Sequence, residues 1–345
     1  MIPVLYDSYE RTFESNGIGR LSDAASCLVS EQINDFYTLA LTYPEDGRYA
    51  SRLEVGNIIS VTTLEGAQPF RIAEVSKNLD GTIEVNANHI SYDLSGYPVR
   101  GISAATAAAA VAALGTQSII PSGFSFSTDL VVSKSISLVE ARSIRAAMGG
   151  SDETILGVYG GEWKFDRFTV QLLEKRGQDK GVTIRYGKNL TDFQMVSSNE
   201  ADYTGCLAYY LNNGTYVSSD IQYIDSAAVP QKILITDHSG DFDSTPTTAQ
   251  LNTAAQADKA LALGITNSLT VSFAPLWQSK EYKGLAPIES VMLGDYVTVI
   301  YERYGVETKL EVVQTDYNVL LDRYESIELG AIRPTLADTI ANLAK

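Results

Sequence analysis

The sequence predicts an α+β protein that is predominantly antiparallel β, with two similar β-barrel or β-sandwich modules and α+β domains inserted into them. Three observations lead to this prediction. Apolar residues alternate with period two near both ends of the chain, a strand pattern near residue 55 recurs near residue 293, and helical segments with clear ends lie between them. Because 345 residues exceed the usual size of one domain, several domains are expected.

The first module is predicted to span residues 1–97. Residues 37–43 alternate between large apolar side chains and Thr or Ala, which is typical of a half-buried strand, and the turn residues 44–47 follow. Further strands are predicted at 55–61, 70–75 and 82–87. Asp80-Gly81 before the last of them suits a tight hairpin, so these strands form a meander.

An α+β insertion is predicted at residues 98–195. Ser103 is placed to cap an Ala-rich helix that ends at Gly115. The segment Ser137–Glu140 has the pattern of a capping box that opens a second helix. Short strands between and after these helices complete the domain.

A second, helix-containing α+β insertion is predicted at residues 237–287. Thr245 is the predicted cap of its helix, Pro246 the first helical residue, and Gly264 follows the last turn. The remaining residues 333–345 have apolar positions at helical spacing and are predicted to form a C-terminal helix.

The strand pattern of the first module recurs near the end of the chain. Leu293–Val299 matches Val55–Val61 at a separation of 238 residues. Lys309–Val313 follows as Phe70–Val75 does, at a separation of 239 residues with Phe70 set against Lys309. The second β module is therefore predicted at 196–236 plus 288–332.

Charge and composition exclude several classes of function. With 26 Lys and Arg against 42 Asp and Glu, the net charge is −16, which disfavours general binding to nucleic acid. No uninterrupted apolar run is long enough to span a bilayer, so no membrane association is expected. Cys27 and Cys206 are too few for a disulfide framework and are predicted to be buried.

The chain shows no catalytic, cofactor-binding or metal-binding set. Its two histidines are His89, beside a strand and predicted to be structural, and His238, in a loop with Asp237, Asp241 and Asp243. That loop has ligands for a hard cation but not the spacing of an EF-hand, and a solvated loop is the favoured interpretation. No cofactor is expected.

One local feature stands out in the charge pattern. Residues 162–188 contain seven basic and four acidic side chains, a positive segment in an acidic protein. Such a segment is usually a solvated face, and the alternative is a contact between subunits with an acidic neighbour. The residues predicted for that contact are Lys175, Arg176, Lys180, Arg185 and Lys188. Charge reversal at Lys175 and Arg176 is then expected to weaken the assembly.

Several segments, taken in order, resemble a known family. They are Glu31–Leu39 with Tyr43-Pro44, Phe70–Ile72, Ala87–Leu94, Gly161–Asp166, Lys175–Gly177, Arg185–Leu190, and Asp241-Phe242 before Thr245–Thr247. Their order is similar to that of the phage minor structural proteins, the prophage tail endopeptidase or tail-associated lysin group of siphophages. The N-terminal hub region of that group is similar to the baseplate hub of contractile phages.

The resemblance implies a baseplate-hub-like fold and a homotrimer at the distal end of the tail tube. Each subunit would give two tube-type modules, so that three subunits form a pseudo-sixfold ring. The implied partners are the distal tail protein, the tape-measure protein and C-terminal fibre or lysin domains, with DNA passing through the lumen without specific binding. The implied location is the virion tail tip, after synthesis in the cytoplasm of the bacterial host.

The resemblance therefore implies a structural hub that closes the tail tube and opens at infection. The endopeptidase activity of the family is expected in C-terminal domains that this chain lacks, so the chain itself is not expected to be an enzyme. The alternatives are a cell-wall-degrading tail enzyme and a host-carbohydrate-binding module. The two tryptophans, Trp163 and Trp277, are too few to argue for a sugar-binding platform.

Overall fold

The structure is a computed structural model that describes residues 1–149, 153–185, 190–197, 203–212, 214–242, 244–262, 267–273, 291–302 and 306–330. The chain divides into two compact units. The first is Met1–Phe193 with Val271–Lys345, and the second is Gln194–Thr270. The predicted class is confirmed, since antiparallel β-sheet dominates the described residues. The predicted C-terminal helix at 333–345 lies outside them.

Among the described residues, the first unit contains most of the strands and three short α-helices. Its strands before the second unit are β1 (Val4–Tyr6), β2 (Gly19–Arg20), β3 (Ser26–Gln32), β4 (Tyr37–Pro44), β5 (Ile58–Thr63), β6 (Gly66–Lys77), β7 (Thr82–His89), β8 (Pro98–Val99), β9 (Ile102–Ala104), β10 (Ser125–Thr128), β11 (Ile136–Leu138), β12 (Arg142–Ser143), β13 (Glu162–Asp166), β14 (Thr169–Leu173) and β15 (Asp179–Arg185). Its helices are α1 (Ala107–Thr116), α2 (Ile144–Met148) and α3 (Ile155–Tyr159), with 3₁₀ turns at Ala50–Arg52 and Ile90–Gly96.

The chain passes between the units in β16 (Leu190–Ser197) and β21 (Asn267–Phe273) and then forms β22 (Tyr296–Tyr301), β23 (Val306–Asn318) and β24 (Arg323–Gly330). A sheet of 13 strands has the order β16-β21-β24-β23-β3-β4-β7-β6-β5-β1-β2, with β22 on β23 and β15 on β22. Strand β15 runs parallel to β22, whereas β23 runs antiparallel to β22, β24 and β3.

The predicted alternation decides which side chains enter the core. In β4, Leu39, Leu41 and Tyr43 are buried, whereas the Thr and Ala residues between them are not. Helix α1 adds Ala107, Ala110, Val111 and Leu114 to the same core, a set with the spacing of one helix face. The core therefore includes both the first β module and the inserted helices.

The predicted helix starts were wrong by several residues. The hydroxyl of Thr106, not Ser103, caps α1 by accepting a hydrogen bond from Ala109 N. Ser103 belongs to β9 and pairs with Ser137 in β11, so neither serine can cap a helix. Ser143 caps α2 instead. Strand pairing overrides the local capping pattern at both serines.

The sequence repeat corresponds to a repeated meander, β5-β6-β7 and β22-β23-β24. Gly56 and Gly294 both have positive φ, +94° and +89°, and start the two copies. The N–H of Gly56 donates to Ile72 O at 2.9 Å, and that of Gly294 donates to Val312 O at 2.8 Å.

The two copies also share an irregularity. A β-bulge lies between Ile72 and Glu74 in the first copy and between Val312 and Gln314 in the second. A bulge bends a strand and increases its local twist, so the long strand of each copy is perturbed at the equivalent position.

The register of the second match was wrong by one residue. Phe70 pairs with Ile59, and Leu310, not Lys309, pairs with the equivalent Val297. The reason is the hairpin connection, which comprises residues 64–65 in the first copy and 302–305 in the second. Because successive side chains alternate between faces, a one-residue error would exchange buried and exposed positions.

The second unit has its own small sheet. It comprises β17 (Gly205–Asn212), β18 (Thr215–Ser218), β19 (Gln222–Tyr223) and β20 (Ile233–Asp237), with helix α4 (Thr248–Ala262). Its core joins Cys206, Ala208 and Tyr210 of β17 to Leu251 and Ala255 of α4.

The helix of the second unit starts two residues later than predicted. Thr247, not Thr245, caps α4, because its hydroxyl accepts from Gln250 N at 3.3 Å while the side chain of Gln250 accepts from Thr247 N. Gly264 lies outside the described residues.

The pairing of strands groups the chain differently from the predicted limits of the second module. Strands within 196–236 form the separate sheet of the second unit, whereas β16 and β21 belong to the 13-stranded sheet. The five predicted domain limits stay predictions. In the part of the chain that the structure describes, no helix is long and apolar enough to cross a membrane.

His89 is a core residue, as predicted from its place beside a strand. Its fully buried ring stacks on Tyr37, with centroids 4.5 Å apart, and its ring nitrogens contact Ser91 Oγ and Gln68 Oε1 at 3.0 and 3.3 Å. Burial, with Arg145 and Arg176 nearby, lowers the pKa of His89 to about 3. The imidazole is therefore neutral in the folded protein at physiological pH.

We predict that His89 makes the first unit sensitive to acid. Below about pH 6.5 the unfolded chain binds a proton at His89 that the folded chain excludes until about pH 3. The free energy of unfolding should therefore fall as the pH is lowered from about 6.5 to about 3. His89 contributes a slope of up to about 1.4 kcal/mol per pH unit. Chemical denaturation of the unmodified protein and His89→Gln across that range measures the difference.

His238→Gln in the second unit is the matched comparison. Burial alone would lower the pKa of His238, but hydrogen bonds to Asp258 and Asp241 outweigh it and raise that pKa. The stabilisation from His238 is present at low pH and lost as the pH rises through the raised pKa. His89 is unchanged in His238→Gln, so the free energy of unfolding of this variant should still fall below about pH 6.5. Equal slopes for His89→Gln and the unmodified protein would contradict the prediction.

Candidate functional site

The candidate site is a charged cluster around Lys175, Arg176 and Lys180, between the end of β14 and the start of β15. The Arg176 side chain is only 2% exposed. Its Nη1 donates to Glu31 Oε1 at 2.7 Å and to Trp163 O at 3.3 Å, and its Nη2 donates to Glu65 Oε2 at 3.4 Å. Arg176 thus joins β3, β13 and the β5–β6 turn of the first module.

Lys175 reaches the second copy of the meander. Its Nζ donates to Glu162 Oε1 at 2.6 Å and to both carboxylate oxygens of Glu311 at 3.1 and 3.2 Å. Glu162 also accepts from Arg176 N at 2.8 Å. Two neighbouring basic residues therefore bind acidic groups of the first module, the insertion and β23.

Asp295 holds the segment that follows. Its carboxylate accepts from Gln178 N at 2.9 Å, from Lys180 Nζ at 2.7 Å and from Met292 N at 2.9 Å. It is 3% exposed, so one buried carboxylate orders both the start of β15 and the turn before β22. A buried carboxylate is stable only when it is paired and hydrogen-bonded, and these three bonds give Asp295 both a cation and backbone donors.

Two glycines allow the backbones to meet at this point. A Cβ added to Gly177 would lie 2.0 Å from Gly294 C and 2.2 Å from Asp295 N. Such distances are far below van der Waals contact, so only glycine fits position 177. Because the backbone at Gly177 lies against that at Gly294, Lys175 and Lys180 on either side of Gly177 reach Glu311 and Asp295.

The cluster keeps its basic groups charged. Burial alone would lower the pKa of Arg176, but Glu31 and Glu65 outweigh it and raise that pKa above its usual value. Burial likewise opposes the charged form of Lys175, whereas hydrogen bonds to Glu162 and Glu311 raise the pKa of Lys175. Burial raises the pKa of Glu31, with Arg176 acting in the opposite direction.

The five predicted contact residues are therefore not alike. Lys175, Arg176 and Lys180 bind acidic groups of their own chain. Arg185 is exposed at the end of β15, and Lys188 lies outside the described residues. The contact between subunits stays a prediction. Charge reversal at Lys175 and Arg176 would first break these ion pairs within the chain.

Sequence reasoning found the basic half of the cluster and missed the acidic half. Glu31 and Glu311 are separated from Lys175 by long stretches of chain, and single-sequence patterns contain no signal for such pairs. One signal was present, since Glu31 shares the inward phase of β3 with Cys27 and Val29. A charged residue at a buried position of an alternating strand implies a buried partner.

The other candidate residues have structural surroundings. His238 contacts Asp241 and Asp258 through its two ring nitrogens, at 2.7 and 2.9 Å. Asp237 accepts from Ser239 N and Tyr209 OH, and Asp243 is not among the described residues. Within the described ranges, no group of three or more His, Cys, Asp or Glu residues is arranged to hold a metal ion.

We predict that Arg176→Met destabilises the protein by about 3–5 kcal/mol, because it leaves the Glu31 carboxylate buried without its cation. Adding Glu31→Gln should recover part of this loss, because the second change removes the orphaned charge. Urea unfolding of the single and double variants gives both values.

The matched control is Lys309→Met. It removes an ion pair with Asp179 in which both side chains are about half exposed, and it should change stability little. Arg176→Met with the same stability as Lys309→Met would show that the cluster is not a structural junction.

We also predict that Gly177→Ala costs more than about 3 kcal/mol, above the usual cost of overpacking, because the new methyl group meets rigid backbone. Gly96→Ala is the control, since its Cβ would meet nothing within 4 Å. Thermal unfolding compares the two variants, and equal midpoints would contradict the close approach of the two backbones.

Comparison with known proteins relates both the fold and part of the sequence to phage tails. A family model described as "Prophage endopeptidase tail" matches residues 178–340, slightly less than half of the chain. The matched range contains Lys180 and Asp295 of the charged cluster. No curated protein matches the chain.

Solved structures similar to the chain include three tail proteins. Prophage tail protein gp18 from Listeria monocytogenes EGD-e has a TM-score of 0.60 at 15% identity, covering 100% of this chain and 98% of that one. The 43 kDa tail protein of prophage MuSo2 from Shewanella oneidensis has a TM-score of 0.65 at 13% identity, covering 95% and 98%. The tail protein from Neisseria meningitidis MC58 has a TM-score of 0.61 at 9% identity, covering 95% of each chain.

At these identities the structures establish a shared fold, and the family match adds a sequence relation over residues 178–340. The resemblance predicted from the sequence is confirmed: the chain has the fold of prophage tail proteins, and its residues 178–340 match the prophage endopeptidase tail family.

Proposed function

We propose that this chain is a structural component of the phage or prophage tail tip, where three copies form a hub. The hub closes the distal end of the tail tube and opens at infection to let DNA and the tape-measure protein pass. It binds the distal tail protein on one side and carries fibre or lysin domains on the other. The chain acts as a scaffold rather than as an enzyme.

The observation that carries this proposal is the repeated meander within one chain. The copies share a glycine start, a bulge and a ladder, and they lie in one continuous sheet. A chain with two equivalent modules lets three subunits present six similar surfaces, which matches a sixfold tube to a threefold tip. The charged cluster supports the same role, because it fixes one module against the next.

The charge of the chain suits a passage for DNA. A net charge of −16 disfavours phosphate binding, and a wall that bound phosphates would hold the DNA as it passed. The proposal therefore includes a lumen lined by carboxylates. A basic bore in a solved assembly would contradict this part of it.

The first test is the solution mass of the purified chain, measured by light scattering from micromolar to tens of micromolar concentration. A mass of three chains is expected. A monomer over the whole range would contradict the trimeric hub.

A wall-clearing assay with purified host cell walls then tests the enzymatic alternative. No clearing is expected from the chain alone. Clearing that survives repurification would contradict the scaffold role and favour a cell-wall-degrading enzyme.

A further inference from the structure

The two copies of the meander meet inside the chain through one strand junction, β3 on β23. Five residue pairs form it, from Gln32 opposite Gln314 to Leu28 opposite Asn318, and it continues in Ile33 N–H donating to Val313 O at 3.0 Å. The first module contributes the outer edge of β3. The second contributes the flank of β23 beyond its bulge, where β22 has ended.

This junction is heterologous, because the two modules contribute different surfaces. A heterologous contact between similar modules leaves one surface of each kind unused at the ends of the chain. The unused flank is the part of β6 that corresponds to β23 beyond the bulge, Glu74–Lys77. The unused edge strand is β16, which stands at the end of the 13-stranded sheet beside β21, as β3 stands beside β4.

The flank of β6 has the geometry of an open edge. Asn78 N–H donates to Thr82 O at the end of the β6–β7 ladder. Antiparallel partners alternate, so Ser76 and Glu74 bond to β7, whereas Val75 and Lys77 direct their backbone groups away from it. Among the described residues, no strand pairs with Glu74–Lys77 on that side, since β5 ends its pairing with β6 at Arg71.

We propose that β16 of one copy of this chain pairs antiparallel with Glu74–Lys77 in β6 of a second copy, repeating the internal β3–β23 junction. The occupant is a second copy because the chain itself contains both halves of the contact. Repetition around a closed ring pairs the β16 edge and the open flank of β6 in every copy, and so covers two strand edges that would otherwise favour aggregation. The inference deepens the proposed function and rests on its trimer.

Disulfide trapping tests the pairing directly. Val75→Cys is combined with one cysteine at a time along β16, first at Thr191, Phe193 and Met195, then at Asp192, Gln194 and Val196. The native Cys27 and Cys206 are buried, which keeps background cross-linking low. Non-reducing gels should show dimers and closed trimers, and nothing larger, for positions of one parity.

The matched control replaces Val75→Cys by Val139→Cys, at a side chain that is 84% exposed but far along the chain from β6. It should give no more cross-linking than the unmodified protein. Equal cross-linking from Val139→Cys and Val75→Cys would overturn the proposal, because it would show random collision.

Val75→Pro is the second test. It removes a backbone N–H that faces the open edge and no bond to β7, so the subunit should stay folded while the trimer dissociation constant rises about tenfold or more. Val75→Ala, which keeps the N–H, should assemble like the unmodified protein.

The outcomes separate this inference from the proposed function. A trimer by light scattering that gives no β16–Val75 cross-link and tolerates Val75→Pro would overturn the strand pairing and leave the trimeric hub in place. A chain that stays monomeric would overturn both. Cross-linked products that extend beyond three chains would also overturn the closed ring.

Discussion

Strand β23 is the element on which the first unit depends. It pairs with β22 along its first half, with β24 along its second, and with β3 beyond the bulge, so a single strand belongs to both modules. Ladder hydrogen bonds cannot be satisfied twice, and β22 therefore has to end where β3 begins. The bulge after Val312 marks this exchange of partners. The relative position of the two modules follows from that register.

The charged cluster acts at the same place. Glu31 lies opposite Thr315 in the β3–β23 ladder, and Glu311 lies on the same β23 strand just before the bulge. Arg176 and Lys175 bind these two carboxylates from a turn that the close approach of Gly177 to Gly294 brings into position. Buried ion pairs are weak contributors to net stability but leave a large penalty when mispaired. The cluster is thus suited to selecting one register of β3 on β23 over its neighbours.

Much of the fold follows from local patterns, and the parts that do not follow have identifiable physical reasons. Alternation located β4, and the repeat located β22 and β23, because burial of one sheet face imposes period two. The helix caps at Ser103 and Ser137 failed because both residues are taken up by strand pairing. The register of the repeat failed by one residue because a longer hairpin connection is not visible as a pattern.

The charged cluster illustrates a second limit. Its basic residues are adjacent in sequence and were noticed as a positive segment, but their partners come from distant strands. The sequence therefore indicated a partner of opposite charge without indicating that the partner belongs to the same chain.

Electron microscopy of the purified assembly without imposed symmetry is the most direct test of the closed ring of three chains. Class averages should show a ring of three chains with six similar lobes around an open or plugged bore. A compact dimer, or a threefold particle whose lobes do not form one ring, would contradict it.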